Sequence, residues 1–178
     1  IGEDHKAMIR KLLSYCIVFL LTWGPLMGNQ VDSLLNVLNK QAEDSLKVKT
    51  LLALAAAHYG SGTNEGVEYG TQAKDLAQQI NFPRGEAYAL KSIGLAYYYQ
   101  GSYVEALLNW QSALEVFESL GDRLGVCNMQ NNVGAIYYNE GDNNKAIEYY
   151  LKSLKISEEI NDTLRMTTAL VNIGAVYY

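Results

Sequence analysis

The 178-residue chain resembles itself every forty residues, and this self-similarity constrains its fold more than any other feature. Gly94, Gly134 and Gly174 share one register, Tyr97, Tyr137 and Tyr177 a second, and Tyr98, Tyr138 and Tyr178 a third. Ala106 matches Ala146, Trp110 matches Tyr150, and Leu114 matches Leu154. Aligned without a gap, residues 87–126 and 127–166 are identical at nine positions, namely 94, 97, 98, 101, 106, 114, 118, 122 and 124 of the first copy. Leu107/Ile147, Val116/Ile156 and Leu120/Ile160 exchange one apolar residue for another. The identities fall on core-facing and turn positions, as expected when similar units stack on one another.

Each unit reads as two helices. Leu90, Ile93, Gly94 and Tyr97 recur at i, i+3, i+4 and i+7, one face of a helix that Gln100-Gly101 should stop. Ser102 with Glu105 has the spacing of a capping box for the next helix, whose inner face is Ala106, Trp110, Ala113, Leu114 and Phe117. The following unit repeats the scheme with Gly141 as stop and Asp142 as cap. Asn81, Gly121 and Asn161 are residue types that accept the left-handed conformation ending a helix, with Asp122 and Asp162 as the next caps and Pro83 in a first turn. Small Gly94 and Ala106 suit a close helix crossing, with Tyr97 and Trp110 filling the space beside it.

The residues Leu90, Ile93, Gly94, Tyr97, Ala106, Trp110 and Ala113 resemble the signature of the tetratricopeptide repeat (TPR) family. Val133, Gly134, Tyr137, Ala146, Tyr150 and Ser153 follow it less fully, with Gln130 and Ser153 off pattern and Glu118 or Glu158 in place of a terminal proline. The period of forty is similar to a longer-helix subclass. The resemblance implies an all-α superhelix, an α-solenoid of antiparallel helix pairs. It divides the chain into a degenerate first repeat at 47–86, repeats at 87–126 and 127–166, and a partial fourth at 167–178. Val31, Leu34, Leu35 and Leu38 make a further helix within 29–46, expected to cap the array. HEAT and armadillo arrays have similar periods but would not explain the glycine–tyrosine–alanine spacing, and long 3.6-periodic runs exclude a WD40 propeller.

Ahead of the array, Met8-Ile9-Arg10-Lys11 is positive and Leu12 to Trp23 carries no charge. Gly24-Pro25 breaks any helix there, and Gly28 suits a cleavage site. Residues 8–28 therefore read as a secretory signal peptide, with 1–7 as upstream or added sequence. Twelve helical residues reach about 18 Å against a hydrocarbon core of about 30 Å, which argues against a stable transmembrane span. A buried N-terminal helix is the other reading. Cys16 follows Tyr15 rather than a small residue, so lipid attachment is disfavoured. The expected location is the periplasmic or extracytoplasmic side of the membrane. Ending midway through a fourth repeat, the sequence reads as a piece of a longer protein.

Composition removes other classes. With 49% hydrophobic residues the chain is too apolar to be disordered. Lys+Arg 14 against Asp+Glu 19 gives net −5, which argues against a general nucleic-acid or anionic-membrane binder. Cys16 and Cys127 allow at most one disulfide. No CxxC, HExxH, GxGxxG after a strand or GxxxxGK(S/T) is present. His58 on an apolar face reads as a packed or rim histidine, Cys127 as a buried thiol, and Gly60, Gly62 and Gly66 as loop residues. Glu158-Glu159 reads as a solvated face. No catalytic residue, metal or cofactor is expected.

What remains is binding. The resemblance implies a concave surface lined by the first helix of each pair. It holds Tyr88, Lys91, Ser92, Leu95, Tyr98 and Tyr99 in the second repeat and Asn128, Asn131, Asn132, Ala135, Tyr138 and Asn139 in the third. Asn172, Ala175 and Tyr178 continue it in the fourth. An asparagine amide both donates and accepts, so it can hold a peptide backbone, and Asn132 and Asn172 share a register. The same asparagines could merely be solvated, and the tyrosines could pack against the next repeat. Lys91 is the one cation among these positions, fewer than a carboxylate clamp for chaperone tails needs. The expected role is a non-catalytic protein- or peptide-binding scaffold. It resembles the N-terminal sensory regions of bacterial membrane signalling proteins of the histidine kinase or nucleotide cyclase type, with membrane association only through the signal segment or a downstream helix. The alternative is a free-standing periplasmic or secreted adaptor.

Overall fold

The computed structural model describes residues 30–61 and 63–178. The signal peptide expected at 8–28, residues 1–7, Cys16 and Gly62 lie outside the described residues. The chain divides into two units, Ile1–Lys40 and Gln41–Tyr178. Of the first, residues 30–38 form a helix (α1) with Val31, Leu34, Leu35 and Leu38 half-buried.

The second unit holds α2 (Ser45–Ala57), α3 (Glu65–Gln79), α4 (Pro83–Tyr99), α5 (Tyr103–Ser119), α6 (Arg123–Asn139), α7 (Asn143–Glu159) and α8 (Thr163–Tyr177). No strand occurs among the described residues. Every helix packs on its neighbours in sequence, and α2 also touches α4 while α6 touches α8. This is the all-α solenoid of helix pairs expected from the repeats.

The connections from α3 onward are three residues long, and one backbone conformation sets them. Asn81 and Asn161 take φ of 54° and 55°, and Gly101, Gly121 and Gly141 take 77°, 66° and 79°. That left-handed residue lets its own N–H and the one after it turn back onto the helix end, as when Gly101 donates to Tyr98 O at 3.0 Å and Ser102 to Tyr97 O at 2.9 Å. The residue that closes one helix also opens the next. Asp122, Asp142 and Asp162 accept from the backbone N–H of Gly125, Lys145 and Arg165. Ser102 departs from expectation: it stands at the cap of α5 but its hydroxyl makes no capping bond. Its backbone is close to that of Asp122, and its oxygen sits one bond nearer the chain.

Packing within pairs follows volume exchange. Gly94 lies under the indole of Trp110, whose Nε1 donates to Lys91 O at 3.1 Å, and Gly134 lies under the ring of Tyr150. Trp110 is 1% exposed, and burying a residue of that size contributes about 5 kcal/mol before entropy is counted. In the first pair the bulk is reversed. Leu54 fills the glycine register, and Gly70, in the Trp110 register, makes room for Ile93. Gly85 and Gly125 accommodate Phe82 and Phe117 in the same way. Gly174 has nothing within 4 Å, and Leu170, Val171 and Tyr177 of α8 are 55%, 65% and 76% exposed.

Candidate functional site, an inner face of amides, tyrosines and two cations

The first helices of the pairs, α2, α4, α6 and α8, share one face of the unit. Their side chains meet at two offsets. Asn139 Nδ2 donates to Tyr98 Oη at 2.8 Å, and Asn172 Nδ2 to Asn131 Oδ1 at 2.8 Å, both forty-one residues apart. Arg165 Nε faces Asn128 Oδ1 at 3.5 Å and Tyr138 Oη faces Ala175 O at 3.5 Å, both thirty-seven apart, and Gln100, just after α4, makes the same step to Thr63 O, ahead of α3, at 2.9 Å. The two offsets differ by four residues, about one helical turn, so each side chain reaches across on either side of its register mate.

One end of the face is aromatic. Tyr59, Tyr88, Lys91, Ser92 and Leu95 surround a cavity of about 230 Å³. Tyr59 Oη lies 2.5 Å from Ser92 Oγ, and burial raises the Tyr59 phenol pKa while the Ser92 bond lowers it in part. Tyr99, 59% exposed, stacks on Tyr59 at 6.1 Å, and Tyr98 packs against Trp110 and Tyr103. Tyr88 sits edge-on to Phe117 with the Lys91 ammonium 5.8 Å from its ring. Tyr98 and Tyr88, expected in the groove, are thus packing residues.

The other end is polar. Asn128, Asn131, Ser153, Leu164, Arg165 and Thr168 line a cavity of about 280 Å³. Asn172 reaches Asn131 rather than its register mate Asn132, which is half-buried and hydrogen-bonded to no side chain among the described residues. Asn139 and Tyr138 are exposed at the end of α6.

Arg165 is the residue that the sequence reading missed, and it corrects the count of one cation. Its register mates are Gly85 and Gly125, so nothing in the repeat pattern marks it. The first helices begin at Pro83, Arg123 and Thr163, four residues before the repeat boundaries drawn from the sequence, which left Arg165 in a unit's tail. Its charge is felt across the face. Burial holds the Lys91 ammonium pKa below its usual value, and Arg165 lowers it further.

Elsewhere the chemistry is quiet. Cys127 is buried, its thiol 3.3 Å from Ser153 Oγ, with burial raising its pKa. His58 lies 5.6 Å from the ring of Tyr69, and Glu159 pairs with Arg123. Among the described residues no three His, Cys, Asp or Glu gather as a metal site, and no helix is long and apolar enough to cross a membrane.

Residues 125–178 match the family model described as Tetratricopeptide repeat. Among solved structures, a Rap protein complexed with Competence and Sporulation Factor is similar at TM-score 0.73 and 22% identity, over 90% of this chain and 45% of that one. Aspartyl phosphate phosphatase F from Bacillus subtilis gives 0.71 and 16%, over 84% and 40%. A signal-transduction ATPase with a tetratricopeptide repeat sensor, PH0952 from Pyrococcus horikoshii, gives 0.72 and 21%, over 91% and 25%. The chain spans less than half of each of these proteins. No curated protein matches it. The fold is that of a tetratricopeptide-type solenoid.

Proposed function

We propose that the inner face of α4, α6 and α8 binds an extended peptide segment and performs no catalysis of its own. The observation that carries this is the run of amide side chains on α6 and α8, Asn128, Asn131, Asn132, Asn139 and Asn172, of which Asn128 and Asn131 line a cavity of about 280 Å³. The likeness to a Rap protein solved with Competence and Sporulation Factor supports it. We read the unit as the extracytoplasmic sensory or interaction module of a larger signal-transduction protein, exported by residues 8–28. The likeness to an ATPase with a tetratricopeptide repeat sensor supports the sensory part.

Peptides selected on the full chain from a random display library serve as probes. Asn132→Ala with Asn172→Ala should weaken them about thirtyfold in calorimetry, since each of the two asparagines contributes a hydrogen bond of about 1 kcal/mol. Unchanged affinity with an intact circular dichroism spectrum removes these residues from the site. For export, alkaline phosphatase fused after Lys40 should be active only when residues 8–28 are present; equal activity without them defeats that part.

A further inference from the structure

The charge of the array is sorted by face. The first helices, α2, α4, α6 and α8, carry Lys47, Lys49, Arg84, Lys91, Arg123 and Arg165 against the single acid Glu86. The second helices, α3, α5 and α7, carry nine carboxylates against four lysines. In a chain of net −5 the first helices are thus net positive; Lys47, Arg84 and Arg123 are paired with Glu43, Asp122 and Glu159.

The polar cavity shows what that side is built to meet. An arginine side chain has only donors, so the oxygen of Asn128 must be the atom turned to Nε at 3.5 Å, leaving its NH₂ free. The oxygen of Asn131 accepts from Asn172 at 2.8 Å, leaving the Asn131 NH₂ free as well. Thr168 spends its hydroxyl hydrogen on Leu164 O at 2.8 Å, and Ser153 spends its own on Cys127 O at 3.0 Å. The nitrogen groups left facing the cavity are donors: two amide NH₂ groups and the guanidinium. The nearest acid is Asp162, with Oδ2 3.9 Å from Arg165 Nε and Oδ1 engaged as the cap of α8 at 3.0 Å. Lys91 forms no ion pair among the described residues.

Resting on the peptide-binding reading, we propose that the ligand is acidic and that one of its Asp or Glu side chains lodges between Arg165, Asn128 and Asn131. A carboxylate is acceptor-only, fills a donor-lined cavity without leaving an unpaired group, and is attracted by the charges of Arg165 and Lys91. Lys91, further along the face, meets a second acid of the same segment. A neutral peptide offers carbonyl oxygens to these donors but no charge to balance the guanidinium.

The test uses the full chain with three capped or uncapped probes, acetyl-Ala-Glu-Ala-Ala-Glu-Ala-amide, its Gln counterpart, and hexa-alanine with a free carboxyl end. In amide-detected NMR titrations the Glu peptide should move the side-chain NH₂ signals of Asn128 and Asn131 and bind about tenfold tighter than the Gln peptide. Arg165→Gln should abolish that preference, bringing the Glu peptide down to the affinity of the Gln peptide on the same variant, and added salt should weaken the Glu peptide more than the Gln peptide on the unaltered chain. Equal binding of Glu and Gln peptides, with the same signals moving, keeps the groove and overturns the carboxylate. Hexa-alanine binding as tightly as the Glu peptide overturns the side-chain assignment in favour of a chain terminus. Shifts confined to α3, α5 and α7 overturn both the carboxylate and the groove.

Discussion

Gly94, Gly134 and Gly174 occupy one register, yet alanine at each should have a different effect. A Cβ on Gly94 would sit 3.0 Å from Cε2 of Trp110, with two more indole atoms closer still. On Gly134 it would lie 2.7 Å from two ring carbons of Tyr150 and 3.3 Å from Ala146 O, and on Gly174 it would meet nothing within 4 Å. Trp110 is 1% exposed, so its ring can yield only by disturbing the core and its 3.1 Å bond to Lys91 O. Overpacking costs about 1–3 kcal/mol and the lost bond about 1 kcal/mol, while alanine returns about 1 kcal/mol of helix preference. Gly94→Ala should therefore destabilise by about 1–3 kcal/mol, and Gly134→Ala by somewhat less because Tyr150 risks no such bond. Gly174→Ala should stabilise, by up to about 1 kcal/mol where the helix is not frayed. Urea unfolding followed by far-ultraviolet circular dichroism measures all three. Repeating Gly94→Ala in a Trp110→Leu background should remove most of its cost. Equal shifts from the three alanines, or an undiminished cost without the indole, refute the ring-over-glycine reasoning.

The remaining expectations concern titration and capping. Tyr150 is 3% exposed, and burial, with Tyr98 and Tyr138 adding to it, pushes its phenol up to about 12. The unfolded phenol titrates near 10, so the native state keeps a proton that the unfolded chain releases; stability is intact below about pH 10 and falls by about 1.4 kcal/mol per unit above it. Tyr150→Phe should flatten that slope in urea midpoints measured at rising pH, and an unchanged slope contradicts the assignment. Asp122, nearly buried, caps Gly125 N–H at 2.9 Å and pairs with Arg84 at 3.1 Å. Asp122→Ala should cost about 1–2 kcal/mol in the same unfolding assay, and Ser102→Ala, which has no capping bond to lose, only a few tenths. Equal costs would show that the capping bond is not what matters.

The helix pairs were legible because their punctuation is local chemistry. Asn or Gly at the left-handed position and Asp at the next carry their meaning within four residues, whatever the rest of the chain does. The apolar faces were legible from 3.6-residue spacing alone. The groove was only half legible. Register placed the asparagines on one face, but side chains meet their neighbours at offsets of thirty-seven and forty-one, so Asn172 reached Asn131 and not Asn132. Arg165 escaped because comparison by register sets it beside two glycines, and the sorting of charge appears only once first and second helices are separated.

Those two glycines carry a further consequence. At Gly125 any side chain would run into Phe117, whereas in the next unit Ser157 occupies the Phe117 register and Arg165 the glycine's. Bulk removed from the interior has reappeared as charge on the surface. Relocating the guanidinium one unit earlier would accordingly take two changes made together, Phe117→Ser and Gly125→Arg, since the arginine alone has no room beside the phenyl ring. Where this solenoid can place that charge is thereby tied to how its hidden side is filled: one substitution can remove the guanidinium, but moving it takes two.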